Sequence, residues 1–324
     1  MTACFVTWMM RVTESVAAWS YILGSRRTMG EERDSVASIF EAYRDLLFSI
    51  AYRMLGSRAD AEDMVQETFV RWQQASLEPV RNPRSLLVTI VSRLCINHLQ
   101  SARVRREQYF GEWLPEPMVT WYPDDPRSTA ARVDDSLSMA FLVLLQQLNP
   151  SERAVFLLRE VFEYEYEEIA AILKLTEANC RQILRRARQH VTGMRPRFDA
   201  PMEQREKLLH AFVDAATSGD SGRLVALLSD SVVLHSDGGG KAPALPNPIY
   251  GPMNVARAII GSLNRFVPKD VARRLALVNG QPGVVTWHEG RPFAVFTLDA
   301  QQGFIRNIYV ITSPDKLAHL ERAG

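Results

Sequence analysis

The sequence predicts a multidomain protein: two all-α domains, the second with a helix-turn-helix, followed by an α+β domain shaped as a cone. Three observations support this fold class. Apolar residues recur at helical spacing over 34–110 and 136–195, a proline- and glycine-rich stretch separates these segments, and strand-like segments alternate with turns over 204–318. The length of 324 residues fits several domains, because one domain usually takes about 100–200 residues.

The first helical domain, 34–110, contains three helical stretches. In the first, Ile39, Tyr43 and Leu46 recur at the spacing of one helix face. The other two read DAEDMVQETFVRWQQA and PRSLLVTIVSRLCINHLQSARVRREQ. The segment that follows, 111–135, holds five prolines and glycines, and this density predicts a linker.

Residues 1–33 form an N-terminal extension. Its apolar stretches are interrupted by Arg11 and Glu14, so none approaches the roughly 20 apolar residues of a membrane span. The basic start of a signal peptide is missing as well. We expect a poorly ordered extension, or a true start at Met29, in preference to an amphipathic helix on a membrane.

The second helical domain, 136–195, contains a helix, a short turn and a second helix over 165–190. Thr176 is placed to cap the second helix. That helix buries one apolar face and directs polar side chains outward, namely Arg181, Gln182, Arg185, Arg186 and Arg188. A helix of this kind suits the major groove of DNA, where arginine and glutamine read base edges and contact phosphates.

Charge is divided in the same order in both helical domains. Residues 31–78 carry ten acidic residues and five arginines, a net charge of −5, whereas residues 79–107 have a net charge of +5. Residues 152–168 have a net charge of −4, and residues 174–195 again +5. Basic helix faces are typical of nucleic-acid binding, and acidic faces suit a basic protein partner. A solvated helix surface is the plainer explanation of any single charge run.

The last segment, 204–318, changes from helical to strand-like patterning. The stretches ARRLALV, VVTWH, PFAVFTL and FIRNIYVIT are separated by turn signals and predict an antiparallel meander, with an earlier strand at SVVLHS. The three cysteines, Cys4, Cys95 and Cys180, are widely spaced. This spacing argues against a disulfide framework or a zinc site and fits a reducing cytoplasm. We expect no metal and no cofactor.

Residues 34–195 resemble a bacterial sigma factor of the extracytoplasmic-function (ECF) group. SRADAEDMVQETFVRW and NPRSLLVTIVSRLCINHLQSARVRRE are similar to sigma region 2, and residues 148–191 are similar to region 4. The resemblance implies that the protein lends promoter specificity to core RNA polymerase and is not an enzyme. It also implies that the DMVQE helix docks on the polymerase clamp through Asp63, Gln66, Glu67 and Trp72.

The resemblance further implies two sets of promoter contacts. Region 2 captures unstacked bases of the minus-ten element and holds the backbone through Arg81, Asn82, Arg84, Arg93, Asn97, Arg103, Arg105 and Arg106. Region 4 reads the minus-thirty-five element as duplex through Thr176, Glu177, Asn179, Arg181, Gln182, Arg185, Arg186 and Arg188.

Three separated motifs resemble the ECF subgroup with a C-terminal SnoaL-like domain, the SigJ-like type. They are WLPEP in the linker, DGGGK at 237–241 and SPDKL at 313–317, where the subgroup typically has NPDKL. The resemblance implies that this domain replaces a separate anti-sigma factor and contacts the sigma domains. The expected contact residues are Trp113, Leu114, Pro115, Asp237, Gly238, Gly239, Gly240, Lys241, Asp315 and Lys316.

The glycine run at 238–240 could be a phosphate-binding loop, a plain turn or a docking loop. It is not a Walker loop, because Lys241 is followed by Ala242 rather than serine or threonine. A plain turn is possible, since glycine tolerates positive φ. We favour a loop that docks closely on the linker, with Asp237 and Lys241 pairing with opposite charges across the contact and Trp113 as the anchor.

Two other function classes are weighed against this one. SnoaL-like cones often enclose a pocket, and His235, Asp237, Trp287 and His288 are candidates to line one in an isomerase-like enzyme or a small-molecule sensor. A lone histidine on a strand is more often structural. A plain helix-turn-helix repressor is the third class, but a repressor has no use for the DMVQE surface.

Overall fold

The computed structural model describes residues 36–75, 80–106, 109, 111–122, 137–191 and 201–320, although not the side chains of 102–106. The predicted N-terminal extension and the second half of the predicted linker lie outside these residues. No helix in the described part of the chain is both long enough and apolar enough to cross a membrane.

The first helical domain consists of α1 (36–55), α2 (Arg58–Ala75) and α3 (Pro83–Arg106). Each helix buries one apolar face. Leu47 of α1, Val65 of α2 and Leu87 of α3 belong to one shared core. A tight turn at Gly56, with φ of +70°, separates α1 from α2. The three predicted helices are therefore present.

The second helical domain consists of α4 (Met139–Leu145), α5 (Pro150–Glu160), α6 (Tyr166–Leu173) and α7 (Glu177–Val191). Asn149 and Glu152 form a capping box at the start of α5, and the Asn179 amide donates to the Thr176 hydroxyl at 3.2 Å at the start of α7. Lys174 adopts a left-handed conformation that ends α6. The predicted helix-turn-helix is therefore formed by α6 and α7.

The two helical domains share one continuous apolar core. Leu87 and Val91 of α3 belong to the same buried cluster as Phe156 and Ile169 of the second domain. Buried Arg153 donates from its guanidinium to the Met54 carbonyl at 2.5 Å. The domains are thus packed against each other in this conformation.

The C-terminal domain is an α+β unit, as predicted. Its helices are α8 (Met202–Ser218), α9 (Ser221–Ala226), α10 (Pro252–Phe266) and α11 (Pro314–Leu317). Its own strands are β2 (Leu228–Asp237), β3 (Ile249–Tyr250), β4 (Ala272–Val278), β5 (Gln281–His288), β6 (Arg291–Gln301) and β7 (Phe304–Ile311). Strands β4 to β7 form the predicted antiparallel meander, but β2 pairs with β7 in parallel, so the sheet is mixed.

A further strand comes from the linker. Residues Val119–Trp121 form β1, which pairs antiparallel with Ala276–Val278 of β4, and the sheet order is β1-β4-β5-β6-β7-β2-β3. The sequence predicted an irregular linker here, because three residues are too few to show a strand period. The open edge of β4 supplies the hydrogen-bonding partners that turn this short segment into a strand.

The two faces of the sheet are covered by different parts of the chain. One face packs against α8, α9 and α10 through residues such as Phe212 and Val255. The other face is covered by Leu114 of the linker, Met139 of α4 and Leu317 of α11. Segments that belong to the helical half of the protein therefore complete the core of the C-terminal domain.

Gly283 of β5 offers a test of this packing. A Cβ there would lie 2.6 Å from the Phe296 carbonyl oxygen and 2.6 Å from Val278. We therefore expect Gly283→Ala to lower the free energy of unfolding of the C-terminal domain by about 1–3 kcal/mol, measured by urea unfolding. The control Gly222→Ala lies in a helix with no atom closer than 3.5 Å to its Cβ, so we expect no loss. Equal stability of both variants would contradict this packing.

Candidate functional site

The predicted polymerase-docking residues divide into surface and core positions. Asp63 and Gln66 are exposed on α2, and half-exposed Glu67 pairs with Arg71 at 2.8 Å. Trp72 is only 2% exposed, and its indole nitrogen donates to the Val36 carbonyl at 3.0 Å. The prediction that Trp72 contacts polymerase is therefore wrong, because its side chain fills the core between α1 and α2.

The predicted minus-ten residues lie just before α3 and along its length. Arg81, Asn82, Arg84 and Asn97 are exposed. The Asn82 side chain accepts a hydrogen bond from the Ser85 amide at 3.0 Å and so caps α3. Of Arg103, Arg105 and Arg106, the side chains lie outside the described part of the chain.

Two of these arginines face the second helical domain. The Arg93 guanidinium donates to the carbonyls of Ile172 at 2.9 Å and of Ala171 at 3.3 Å, at the C-terminal end of α6. A guanidinium at a helix C-terminus satisfies carbonyls that lack intrahelical partners. Arg84 lies 5.1 Å from the centre of the Tyr164 ring. In this conformation Arg93 is engaged by protein and is not the open DNA contact that the sequence predicted.

Helix α7 carries the predicted minus-thirty-five residues on two sides. Arg181 pairs with Glu177 at 2.6 Å, and Arg188 pairs with Glu160 at 2.5 Å. The outermost side chains are Asn179, Gln182, Arg185 and Arg186, all exposed. The helix thus holds two arginines along its own domain and presents a polar stripe to solvent.

Asp237 forms the centre of the contact between the C-terminal domain and the linker. Its side chain is fully buried at the end of β2. One carboxylate oxygen accepts from the Tyr109 hydroxyl at 2.6 Å and the Gly239 amide at 2.9 Å. The other accepts from the Leu114 amide at 2.8 Å and the Lys316 ammonium at 2.6 Å. Four donors from three parts of the chain therefore converge on one carboxylate.

Two of the side chains that donate to Asp237, those of Tyr109 and Lys316, have further interactions with their surroundings. Burial, together with the hydrogen bond and the negative charge of Asp237, raises the pKa of the Tyr109 hydroxyl well above its usual range. Lys316 also donates to the Leu114 carbonyl and lies 4.0 Å from the centre of the Trp113 ring. The linker is thus held by both backbone groups of Leu114 and by an aromatic face.

The glycine run forms a tight turn beside this carboxylate. Gly239 and Gly240 have φ angles of +64° and +68°, which other residues adopt rarely. A Cβ on Gly239 would lie 2.5 Å from the Ser313 hydroxyl, and one on Gly238 would collide with the Ala242 carbonyl. The glycines therefore allow both the turn and its close approach to the start of α11.

Lys241 does not reach across the contact as the sequence predicted. It pairs with Asp315 at 2.6 Å, within the C-terminal domain, and both side chains are more than half exposed. The cation beside Asp237 is Lys316 from the same domain, because the turn directs Lys241 away from the linker. An exposed pair of this kind contributes little to stability.

The WLPEP segment lies between the first helical domain and the C-terminal domain. Gly56 approaches so closely that an added Cβ would lie 3.0 Å from the Trp113 ring and 3.6 Å from Pro115. Leu114 is completely buried against the sheet. Trp113 and Leu114 are thus brought together with Asp237 and Lys316 in one contact, whereas Pro115 lies beside Gly56.

Sequence reasoning missed a second contact around Asn279. The Asn279 side chain donates to the Tyr52 hydroxyl at 2.6 Å, and that hydroxyl donates to the Glu116 carbonyl at 2.7 Å. The backbone amide of Asn279 donates to the Met118 carbonyl at 2.7 Å. The only sequence signal was the Asn-Gly turn, which gives no indication of partners elsewhere in the chain.

The candidate pocket residues serve other contacts. His235 lies 2.7 Å from Glu112 of the linker and stacks on Tyr309. Trp287 is buried in the apolar core on the linker side of the sheet, and His288, the last residue of β5, is partly exposed and lies 3.4 Å from Asp270. Among the described residues, no group of three or more histidine, cysteine, aspartate and glutamate side chains is placed to hold a metal ion.

Comparison with known proteins identifies the family. Residues 39–105 match the model of Sigma-70 region 2, and residues 138–191 match that of Sigma-70, region 4. The chain is 36% identical over 290 residues to the ECF RNA polymerase sigma factor SigJ of Mycobacterium tuberculosis (strain ATCC 25618 / H37Rv), covering 86% of this chain and 92% of that protein. The chain belongs to the ECF sigma factor family.

Further relatives agree with this assignment. The probable ECF sigma factor SigI of M. tuberculosis (strain CDC 1551 / Oshkosh) is 29% identical, over 88% of this chain and 96% of that protein. The crystal structure of M. tuberculosis SigJ superposes with a TM-score of 0.70 at 34% identity, covering 87% of this chain and 98% of that one. This ECF sigma factor therefore directs core RNA polymerase to promoters, binds promoter DNA and is not an enzyme, and its C-terminal domain is part of the SigJ-like architecture.

Trp72 provides a test of how α2 is built. We expect Trp72→Ala to lower the free energy of unfolding of the helical domains by about 3–5 kcal/mol, because a large buried side chain is lost. The measurement is chemical denaturation followed by circular dichroism. Gln66→Ala, on the exposed side of the same helix, is the control and is expected within about 0.5 kcal/mol of the parent. An unchanged free energy of unfolding in Trp72→Ala would contradict a core position for Trp72.

Proposed function

We propose that the C-terminal domain of this sigma factor regulates promoter recognition in cis by holding the linker between regions 2 and 4. The observation that carries the proposal is the buried Asp237 carboxylate, which binds the Leu114 amide and the Tyr109 hydroxyl together with Lys316. Breaking a buried ion pair by removing one partner costs about 3–5 kcal/mol. A linker held in this way does not adjust its length freely.

The docked linker coincides with a closed arrangement of the two DNA-binding regions. Arg93 caps α6 and Arg84 lies over Tyr164, so both arginines face region 4. We propose that promoter binding separates these surfaces and frees both side chains for the minus-ten element. Since the linker joins the two regions, its release from Asp237 would favour the separated form.

The docking surfaces for polymerase and promoter follow from exposure. We propose that Asp63, Gln66 and Glu67 contact the polymerase clamp, since they form the exposed face of α2. Gln182 and Arg185 on the outer stripe of α7 are proposed to read the minus-thirty-five element in the major groove. The protein would act in the cytoplasm, where RNA polymerase works, without a separate anti-sigma factor, because the C-terminal domain restrains the linker itself.

Arg185 tests the promoter contact. Arg185 is exposed, and no ion pair joins it to another described residue. We expect Arg185→Ala to weaken promoter binding by the polymerase holoenzyme about 5- to 150-fold, as for a lost arginine contact of about 1–3 kcal/mol. Lys207→Ala removes the same charge from exposed α8 and is the control. Equal promoter affinity of the Arg185 variant and the control would refute the assignment.

Asp237 tests regulation in cis. We expect Asp237→Asn to release the linker and raise transcription by core polymerase several-fold, because the amide leaves the Lys316 charge buried without its counter-ion. The matched control is Lys241→Ala, which breaks only the exposed pair with Asp315. The measurement is multi-round transcription with each full-length variant. A fall in transcription would show instead that the docked linker is the active arrangement, and equal activity of all three proteins would refute cis regulation through this contact.

A further inference from the structure

Helix α2, which carries the proposed polymerase-docking residues, has a local cap for one of its first amides. The first amides of a helix lack partners within it and need acceptors from elsewhere. The Ser57 hydroxyl accepts from the Asp60 amide at 3.2 Å, as the side chain of an N-cap residue does. The two amides that come before Asp60, those of Arg58 and Ala59, have an acceptor from outside the helix.

That acceptor is Glu116 of the linker, 58 positions after Arg58 in the chain. One oxygen of its carboxylate accepts from the Arg58 amide at 2.8 Å and from the Ala59 amide at 3.4 Å. The Ser57 hydroxyl donates to the same oxygen at 3.3 Å. The helix dipole favours a negative charge at this end of a helix. Glu116 therefore supplies the start of α2 with a cap from a distant segment of the chain.

The backbone of Glu116 binds the same corner of the first helical domain. Its amide donates to the Gly56 carbonyl at 2.8 Å, and its carbonyl accepts from the Tyr52 hydroxyl at 2.7 Å. Pro117 follows directly and favours an extended backbone at Glu116. The residue is only 8% exposed, so these hydrogen bonds are largely shielded from water. Both the side chain and the backbone of Glu116 thus hold the linker against the turn between α1 and α2.

The C-terminal domain fixes the linker on both sides of Glu116. Two residues earlier, the Leu114 amide donates to the buried Asp237 carboxylate at 2.8 Å. Two residues later, the Met118 amide donates to the Asn279 side chain at 3.1 Å. Glu116 therefore reaches α2 from between two points at which the linker is attached to the C-terminal domain. Release of the linker would remove the cap from α2.

We infer that Glu116 is a positioning residue for polymerase binding, because it caps α2 while the linker is docked and so couples the order of α2 to linker docking. Asp63 lies in the second turn of α2, after the capped first turn. Coupling between two binding events is reciprocal, so core polymerase that binds an ordered α2 also favours the docked linker. The linker is then released by promoter DNA and not by polymerase. This consequence rests on the clamp contact proposed above, whereas the cap itself does not.

Hydrogen exchange of the full-length protein without polymerase tests the cap. We expect Glu116→Ala to speed amide exchange in residues 57–62 about 2- to 30-fold, as for loss of an N-cap interaction. Glu116→Gln keeps one acceptor oxygen, and its exchange should lie between that of Glu116→Ala and that of the parent. The matched control is Glu112→Gln, because Glu112 is a linker carboxylate that contacts His235 of the C-terminal domain. This control should keep the parental exchange in residues 57–62.

Exchange in the linker with and without core polymerase tests the coupling, and in the parent protein this measurement requires no variant. We expect core polymerase to slow exchange in residues 112–121 of the parent about 2- to 30-fold and to give less protection in Glu116→Ala. The affinity of Glu116→Ala for core polymerase should fall by a factor in the same range. Asp63→Ala leaves the cap intact and tests the clamp contact separately. Normal polymerase affinity of Asp63→Ala would contradict the clamp contact and not the cap.

Two sets of results would overturn the inference. Parental exchange of residues 57–62 in Glu116→Ala, or equal exchange in Glu116→Ala and Glu116→Gln, would show that Glu116 does not cap α2. Unchanged or faster linker exchange in the parent when polymerase binds would show that docking and polymerase binding are not coupled in this sense. Equal protection of the linker in the parent and in Glu116→Ala would show that the coupling does not pass through Glu116.

Discussion

One buried carboxylate determines how the parts of this protein meet. Asp237 is the last residue of strand β2, and its side chain has no exposed surface. A charge in such a place is tolerated only when its oxygens are satisfied. The donors that satisfy it come from the linker, the glycine turn and α11, so the carboxylate requires all three to be in place. The glycines, the docked linker and the buried Lys316 are consequences of that requirement.

The apolar contacts also join the linker to the C-terminal domain. A sheet needs cover on both faces. The long helices of the C-terminal domain, α8 and α10, cover only one of them, and the short α11 covers part of the other. Leu114 of the linker and Met139 of α4 also cover this second face. Burial of this surface and satisfaction of Asp237 thus favour the same arrangement. The hydrogen bonds of Asp237 and the burial of Leu114 therefore act on the same linker segment. Arg84 and Arg93, in contrast, contact region 4 from region 2.

The sequence predicted what local pattern can show. Helical periodicity located α1 to α3 and the helix-turn-helix, and turn signals located the meander. Trp72 was misassigned because a docking surface and a core share one amphipathic helix, and composition alone does not tell which face an aromatic residue occupies. Strand β1 and the bond from Asn279 to Tyr52, which spans 227 positions, depend on partners distant in sequence. The motif resemblance brought Asp237 and the linker together, but it gave no pairing for Lys241.

The linker strand has a consequence for how this architecture is inherited. Because β1 of the linker completes the sheet, residues 201–320 do not contain all of its strands. A gene fusion that transferred residues 201–320 alone to another sigma factor would bring an open β4 edge and an uncovered apolar face. Successful exchange between relatives would have to move the linker and the C-terminal domain as one unit. The two segments are separated in the sequence by the whole of region 4, so such an exchange would have to replace two distant stretches of the gene.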